Sequence, residues 1–278
     1  MSDTSTRSLE HWSEDKRREM EDFYVLATGD YRHLAEAFDW KALLEGWQQN
    51  AGDRPLRLLD VACGSGKFPG ALLAHADVGN AAIQPIDYAL LDPSQFSIDE
   101  TRRVLQPPFV AGAEHSVPLQ DLDANAGPFD IVWATHALYA IPAAELPLAL
   151  SRFVAVTGGT GFIAHATSDA HYLKFYDMFL NDFRGGEGEP YAAAEAIVAE
   201  LGKGGAPLRT RTIHYESTAP ATATAQVEGF LQRCVFDDTV TLEALMDGPT
   251  TGPYLRRCAQ PDAWRFEQHV ELIFIGQD

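Results

Sequence analysis

The chain is poor in three things, and each shortage excludes something. It holds 3 cysteines in 278 residues, Cys63, Cys234 and Cys258. That number is odd and too small for a disulfide framework, so a reducing, cytoplasmic setting is expected. Positive charge is scarce, with 21 Lys and Arg against 40 Asp and Glu and a formal net charge of −19. Such a surface repels phosphate backbones and anionic lipid, which predicts no nucleic acid and no membrane among the partners. Long apolar runs are missing too: no segment approaches the ~20 residues needed to cross a bilayer, and the first 22 residues hold no apolar run. No internal repeat or low-complexity tract is visible. What remains is a globular composition, 46% hydrophobic and 22% charged, long enough to bury a substantial core.

Hydrophobic periodicity divides the chain. Residues 8–24 and 31–49 have helical spacing and form an N-terminal preface that ends at the turn-forming run 51–55. Short apolar runs at 56–62, 86–91, 109–111, 129–134 and 161–166 then alternate with helical patterns near 67–73, 97–105 and 145–156. Strands alternating with helices predict a doubly wound, mainly parallel α/β sheet. Further on, helices at 169–182, 191–201, 222–235 and 242–246 surround two late strands, 209–217 and 266–275, which makes seven strands in all. The glycine-rich run 184–190 reads as a mobile loop. The expected divisions are an N-terminal helical cover (1–50), a binding core (51–167), a helical cap or lid insertion (168–208) and a C-terminal part (209–278) that completes the sheet.

The most informative stretch is Asp60-Val61-Ala62-Cys63-Gly64-Ser65-Gly66. Two glycines between a strand and a helix let the backbone turn tightly and approach a ligand at the helix N-terminus. A dinucleotide fingerprint would need a third glycine where Pro69 stands, and no Lys-Ser or Lys-Thr pair closes a phosphate-binding loop. An acid at Asp60 disfavours pyrophosphate and favours an ammonium group. Asp92 ends the second strand, where a carboxylate can accept two hydrogen bonds at once.

These residues resemble the first two motifs of the class I S-adenosylmethionine-dependent methyltransferases. The stretch 111–116 falls where that family contacts adenine, and 129–139 resembles its fourth-strand motif. The resemblance covers about residues 56–167. It implies a Rossmann-like methyltransferase fold, S-adenosyl-L-methionine as cofactor with S-adenosyl-L-homocysteine as product, and no metal. The implied cofactor contacts are Asp60, Ala62, Gly64, Gly66, Asp92, Ser94, Glu114, Ser116 and Thr135. The trio His165, Asp169 and His171 lacks the paired acids that a divalent-ion site needs.

The outer segments resemble a narrower group, the histamine N-methyltransferase-like enzymes, through Asp92-Pro93-Ser94, Ala137-Leu138-Tyr139, the stretch 229–236 and the strand 266–273. That group has a glutamate on its N-terminal helix, a position matched here to His33; His136 stands for its glutamine and Glu267-Gln268 for its asparagine pair. A different small-molecule acceptor is therefore expected. Methyl transfer by in-line displacement to nitrogen or oxygen needs an oriented, unprotonated acceptor. His136 and His33 are the candidate bases or anchors, and Tyr24, Tyr31, Tyr139 and Glu267 are candidates to line the acceptor site. A protein of this fold that binds the sulfonium without transferring methyl is the alternative. A monomer or homodimer is expected.

Overall fold

The computed structural model describes residues 3–205 and 207–276. Three helices come first: α1 (Asp3–His11), α2 (Arg17–Glu36) and α3 (Trp40–Ala51). Strand β1 (Arg57–Val61) leads through the glycine turn into α4 (Lys67–His75). The alternation continues with β2 (Ile86–Leu91), α5 (Gln95–Val104), β3 (Phe109–His115), β4 (Phe129–Thr135), α6 (Leu146–Val156) and β5 (Thr157–Ala166). Helices α7 (His171–Phe183) and α8 (Ala194–Lys203) precede β6 (Leu208–Pro220), and α9 (Thr224–Val235), α10 (Leu242–Asp247) and α11 (Thr251–Cys258) lead to β7 (Ala263–Ile275).

The seven strands form one sheet in the order β3-β2-β1-β4-β5-β7-β6, and β7 alone runs antiparallel to its neighbours. The sheet is seven-stranded and mostly parallel, as the alternating pattern predicts. Alternation along β1 explains its two-sided burial. Leu58 packs with Trp40, Phe68 and Trp133 on one face, while Leu59 and Val61 pack with Phe153 and Leu150 on the other. A third apolar cluster, with Tyr24, Tyr176, Phe179 and Phe230, joins α2, α7 and α9 above the sheet. Strand order reverses between β1 and β4, and the crevice outside the carboxyl ends at such a point is where open α/β sheets bind ligands.

Several boundaries differ from the sequence reading. Residues 25–30 form no break: α2 runs unbroken from Arg17 to Glu36, and the chain turns at Ala37–Asp39. Asp39 starts α3 by accepting from Ala42 N at 3.0 Å, a cap of the ordinary kind. Strand β3 continues to His115 and β5 starts at Thr157, because pairing with β2 and β4 extends the short apolar runs. Helix α11 was not anticipated. Its first turn is capped from a distance by Asp182 of α7, whose Oδ2 accepts from Thr250 N and Thr251 N at 2.8 Å each.

Candidate functional site

A cavity of about 710 Å³ opens at the switch point, within the size range of small-molecule sites. Its floor is the turn between β1 and α4. Ala62, Gly64 and Gly66 all adopt left-handed backbone, at φ 51°, 58° and 67°. Thr101 of α5 secures this turn, donating from Oγ1 toward Cys63 O (3.1 Å) and Gly64 O (3.0 Å). Sequence reasoning missed Thr101, because its role rests on helix packing 35 or more residues away in the chain. Ala62 and Gly64 line the cavity and Gly66 does not. A Cβ at Gly66 would lie 2.6 Å from Val104 Cγ2, so that glycine permits the close approach of α5 to the turn.

Both acids at the strand ends face the cavity. Asp60 is 3% exposed and accepts from the Tyr88 hydroxyl at 2.7 Å. Burial pushes its carboxyl up to about 7, against the opposing pull of that hydrogen bond. Asp92 is 6% exposed, accepts from Gly64 N (3.1 Å) and Ser94 N (2.8 Å), and is pushed up to about 6 by burial. The Asp92 carboxylate thus ties the first turn to the second. Ser65 also lines the cavity; its hydroxyl is buried and makes no well-formed hydrogen bond within the protein.

Of the other expected cofactor contacts, Ser116 and Thr135 line the cavity, beside the run from Val117 to Asp121. Ser94 and Glu114 do not. Ser94 caps α5, accepting from Ser97 N at 3.3 Å, and its hydroxyl donates to Trp12 O at 2.6 Å, which holds the N-terminal segment over the site. Glu114 is exposed on an edge strand and accepts from Arg102 Nε at 2.6 Å. The pleat of β3 turns its side chain to solvent and to that arginine.

Tyr24, Tyr31, Tyr139 and His136 also line the cavity, Tyr24 beside the glycine turn with its hydroxyl next to Gly64 and Ser65. The ring of Tyr31 meets His136 edge-on at 5.8 Å. Tyr139 Oη accepts from Ala166 N at 3.3 Å and lies 2.7 Å from His136 Nδ1. One proton is shared between Tyr139 Oη and His136 Nδ1, and Nε2 of the same ring is buried without a partner in the protein. Burial, reinforced by nearby His165, pulls His136 down to about 3. The ring is neutral at physiological pH and is too weak a base to hold a proton there.

His33 and Glu267 lie elsewhere. His33 stacks on Tyr215 with ring centroids 4.3 Å apart, away from the cavity. The cavity face of α2 carries Phe23, Tyr24, Ala27, Asp30 and Tyr31 at helical spacing. A residue two places past Tyr31 is carried to another side of the helix, and Asp30 is the acid that faces in. Glu267 is exposed on β7, and its neighbour Gln268 is the one buried and lining the cavity, as period-two alternation requires. Asp30 is thus the residue the sequence reading overlooked. The signal was available: an acid set within the apolar stripe of an amphipathic helix.

Five carboxylates line the cavity (Asp30, Asp60, Asp92, Asp121 and Glu145), against one lysine, Lys67, whose ammonium sits 4.5 Å from the ring centre of Tyr24. Among the described residues no group of three or more His, Cys, Asp or Glu is placed to hold a metal ion, and no helix is long and apolar enough to cross a membrane.

No family model and no curated protein matches the chain. Among solved structures, it is similar to magnesium protoporphyrin IX methyltransferase from Synechocystis PCC 6803 with bound S-adenosylhomocysteine, at 12% identity over 99% of this chain and 100% of that one, TM-score 0.53. The same enzyme with bound S-adenosylmethionine aligns at 12% identity over 100% and 99%, TM-score 0.50. The YcgJ protein of Bacillus subtilis aligns at 13% identity over 86% and 98%, TM-score 0.50. At these identities the likeness establishes the fold, which is that of the class I methyltransferases.

Proposed function

We propose that the protein is an S-adenosylmethionine-dependent methyltransferase acting on nitrogen or oxygen of a small molecule. The observation that carries this reading is the cavity at the switch point: a left-handed turn pinned by Asp92, with five carboxylates facing one lysine. Such a lining is suited to a cationic ligand. S-Adenosyl-L-methionine, when bound, supplies an electrophilic methyl group on a sulfonium. The residues fit it. Asp92 keeps lone pairs for ribose hydroxyls, the Ser65 hydroxyl and Asp60 suit the ammonium and carboxylate end, and Ser116 with Val117 and Leu119 would line the adenine. Thr135 and the aromatic rings of Tyr24, Tyr31 and Tyr139 exclude water beyond it. No residue here needs to act as a nucleophile, and no metal is required.

Helices α1 and α2 cover the cavity, and Tyr172 of α7 lines it from the insertion at 168–208. Loop residue Glu189 accepts from Ala143 N at 2.5 Å, and its carbonyl accepts from Thr4 Oγ1 at 3.0 Å, which links the insertion to α1 and to the segment after β4. A covered site favours a small acceptor over a folded chain. Phe230, which lies in the segment 229–236 resembling the histamine N-methyltransferase-like branch, lines the cavity and supports placing the protein there. The test is incubation with methyl-labelled S-adenosylmethionine and a panel of amines, phenols and carboxylic acids. Label transferred to one class supports the reading, whereas binding with no transfer to any class favours the non-methylating alternative.

A further inference from the structure

Resting on the methyltransferase reading, we propose that Tyr88 is a positioning residue for cofactor binding. Its hydroxyl keeps the Asp60 carboxylate charged and fixes it, so that one oxygen is left for the ammonium of S-adenosylmethionine.

The pleat of the sheet sets the problem. Asp60 follows Leu58 by two residues on β1, so it lies on the face whose cluster holds Leu58, Phe68, Tyr88, Phe109 and Trp133. A carboxylate at the rim of that cluster loses most of its water, and Asp60 is 3% exposed. Without hydrogen bonds such a group takes up a proton instead of staying charged. Its register partners are Leu90 on β2 and Trp133 on β4. Leu90 has no polar side-chain atom to offer. Tyr88, two places earlier on the same face of β2, reaches forward and donates to Asp60 Oδ2 at 2.7 Å. Its ring is fixed, being fully buried and packed edge-on against Phe109 at 5.3 Å and Trp133 at 5.7 Å. The indole nitrogen of Trp133, buried and without a well-formed bond of its own, adds a weaker pull in the same direction. Oδ2 is thus occupied, and Oδ1 is left for a ligand in the cavity that Asp60 lines. The other titratable neighbours are Asp92, which opposes a second charge by repulsion, and Cys63, whose thiol burial keeps protonated. None of these is a cation, so the phenol is the main protein group that favours the charged acid. Burial leaves Asp60 at about 7 even with the phenol in place. At neutral pH a loss of support is therefore a loss of the charge that the ammonium needs.

The test is calorimetric titration of S-adenosylmethionine into the full chain and into Tyr88→Phe, each shown by melting to be native, at half-unit steps from pH 8.5 to 6. Removing the hydroxyl should raise the Asp60 value by about one pH unit. The ligand's own titration cancels in the ratio of the two affinities. That ratio should grow about sevenfold between pH 8.5 and 6, because the variant loses its charged acid earlier. In an Asp60→Asn background the same tyrosine change should give a ratio that is flat with pH. A flat ratio with Asp60 present, as a merely structural role would produce, or equal growth in the Asp60→Asn background, would overturn the proposal. Carbon NMR of the unaltered chain decides the matter even if the variant does not fold. The Tyr88 Cζ signal should shift with a midpoint near pH 7 as Asp60 ionises, and a signal flat from pH 5 to 8.5 would overturn the pairing. Failure of the unaltered chain to bind S-adenosylmethionine at any pH would instead strike at the methyltransferase reading, and the Cζ titration would still judge the Tyr88–Asp60 pair.

Discussion

Two buried carboxylates at the cofactor end should make S-adenosylmethionine binding strongly pH-dependent. Asp60 is pushed up to about 7 and Asp92 to about 6, both chiefly by burial. On the proposed reading the ligand needs both ionised, Asp60 to face its ammonium and Asp92 its ribose hydroxyls. At pH 5 roughly one Asp60 in a hundred and one Asp92 in ten is ionised, so affinity should fall by about 10³ from its value near pH 8, or about 4 kcal/mol at 1.36 kcal/mol per unit. The amine of the ligand becomes more protonated over the same range, which by itself would strengthen binding. A loss must therefore come from the protein. Calorimetric titration at half-unit steps between pH 8 and 5 measures it, and Asp60→Asn should reduce the drop to about tenfold, the part left to Asp92. Affinity that stays flat, or rises as the pH falls, would refute the reasoning.

The same groups govern stability without ligand. Asp30, Asp60 and Asp92 all have folded values above the ordinary 3.8. The stability they contribute is therefore fully present below about pH 4 and is lost as pH rises toward 7, so a melting series should show ligand-induced stabilisation growing from acid to neutral pH. Gly66→Ala places a Cβ 2.6 Å from Val104 Cγ2 at φ 67° and should cost about 2 kcal/mol or more in denaturant unfolding; an unchanged midpoint would contradict the role given to this glycine. Ala62→Gly relieves left-handed backbone at φ 51° and should stabilise by up to about 1 kcal/mol in the same assay. Ser94→Ala removes the cap of α5 and the bond to Trp12 O, costing about 1 kcal/mol and speeding proteolysis of the N-terminal segment. Glu114→Gln and Glu267→Gln touch only exposed residues, and cofactor affinity should be unaltered in both.

The parallel core was legible because its signals are local. Buried strands such as 86–91 read as apolar runs, and the paired glycines mark the turn where the chain must bend. Asp60 and Asp92 were visible for the same reason: each stands at a strand's carboxyl end, which topology brings to one edge of the sheet. The acceptor end was less legible. Choosing between Asp30 and His33, or between Glu267 and Gln268, depends on which side of a helix or strand meets the cavity, and a shift of one to three residues reverses the answer. Glu114 was misplaced because the pleat of β3 turns its side chain to the exposed face, where Arg102 holds it. Helix α11 stayed hidden because Asp182, which caps it, lies 68 residues from Thr250.

The most direct test is a calorimetric titration of S-adenosylmethionine into the purified chain and into Asp92→Asn, each first shown to melt as a native protein. Saturation near one molecule per chain, weakened at least tenfold in the variant, is the predicted result. No heat of binding with the unaltered chain, or equal affinity in the two, would contradict it.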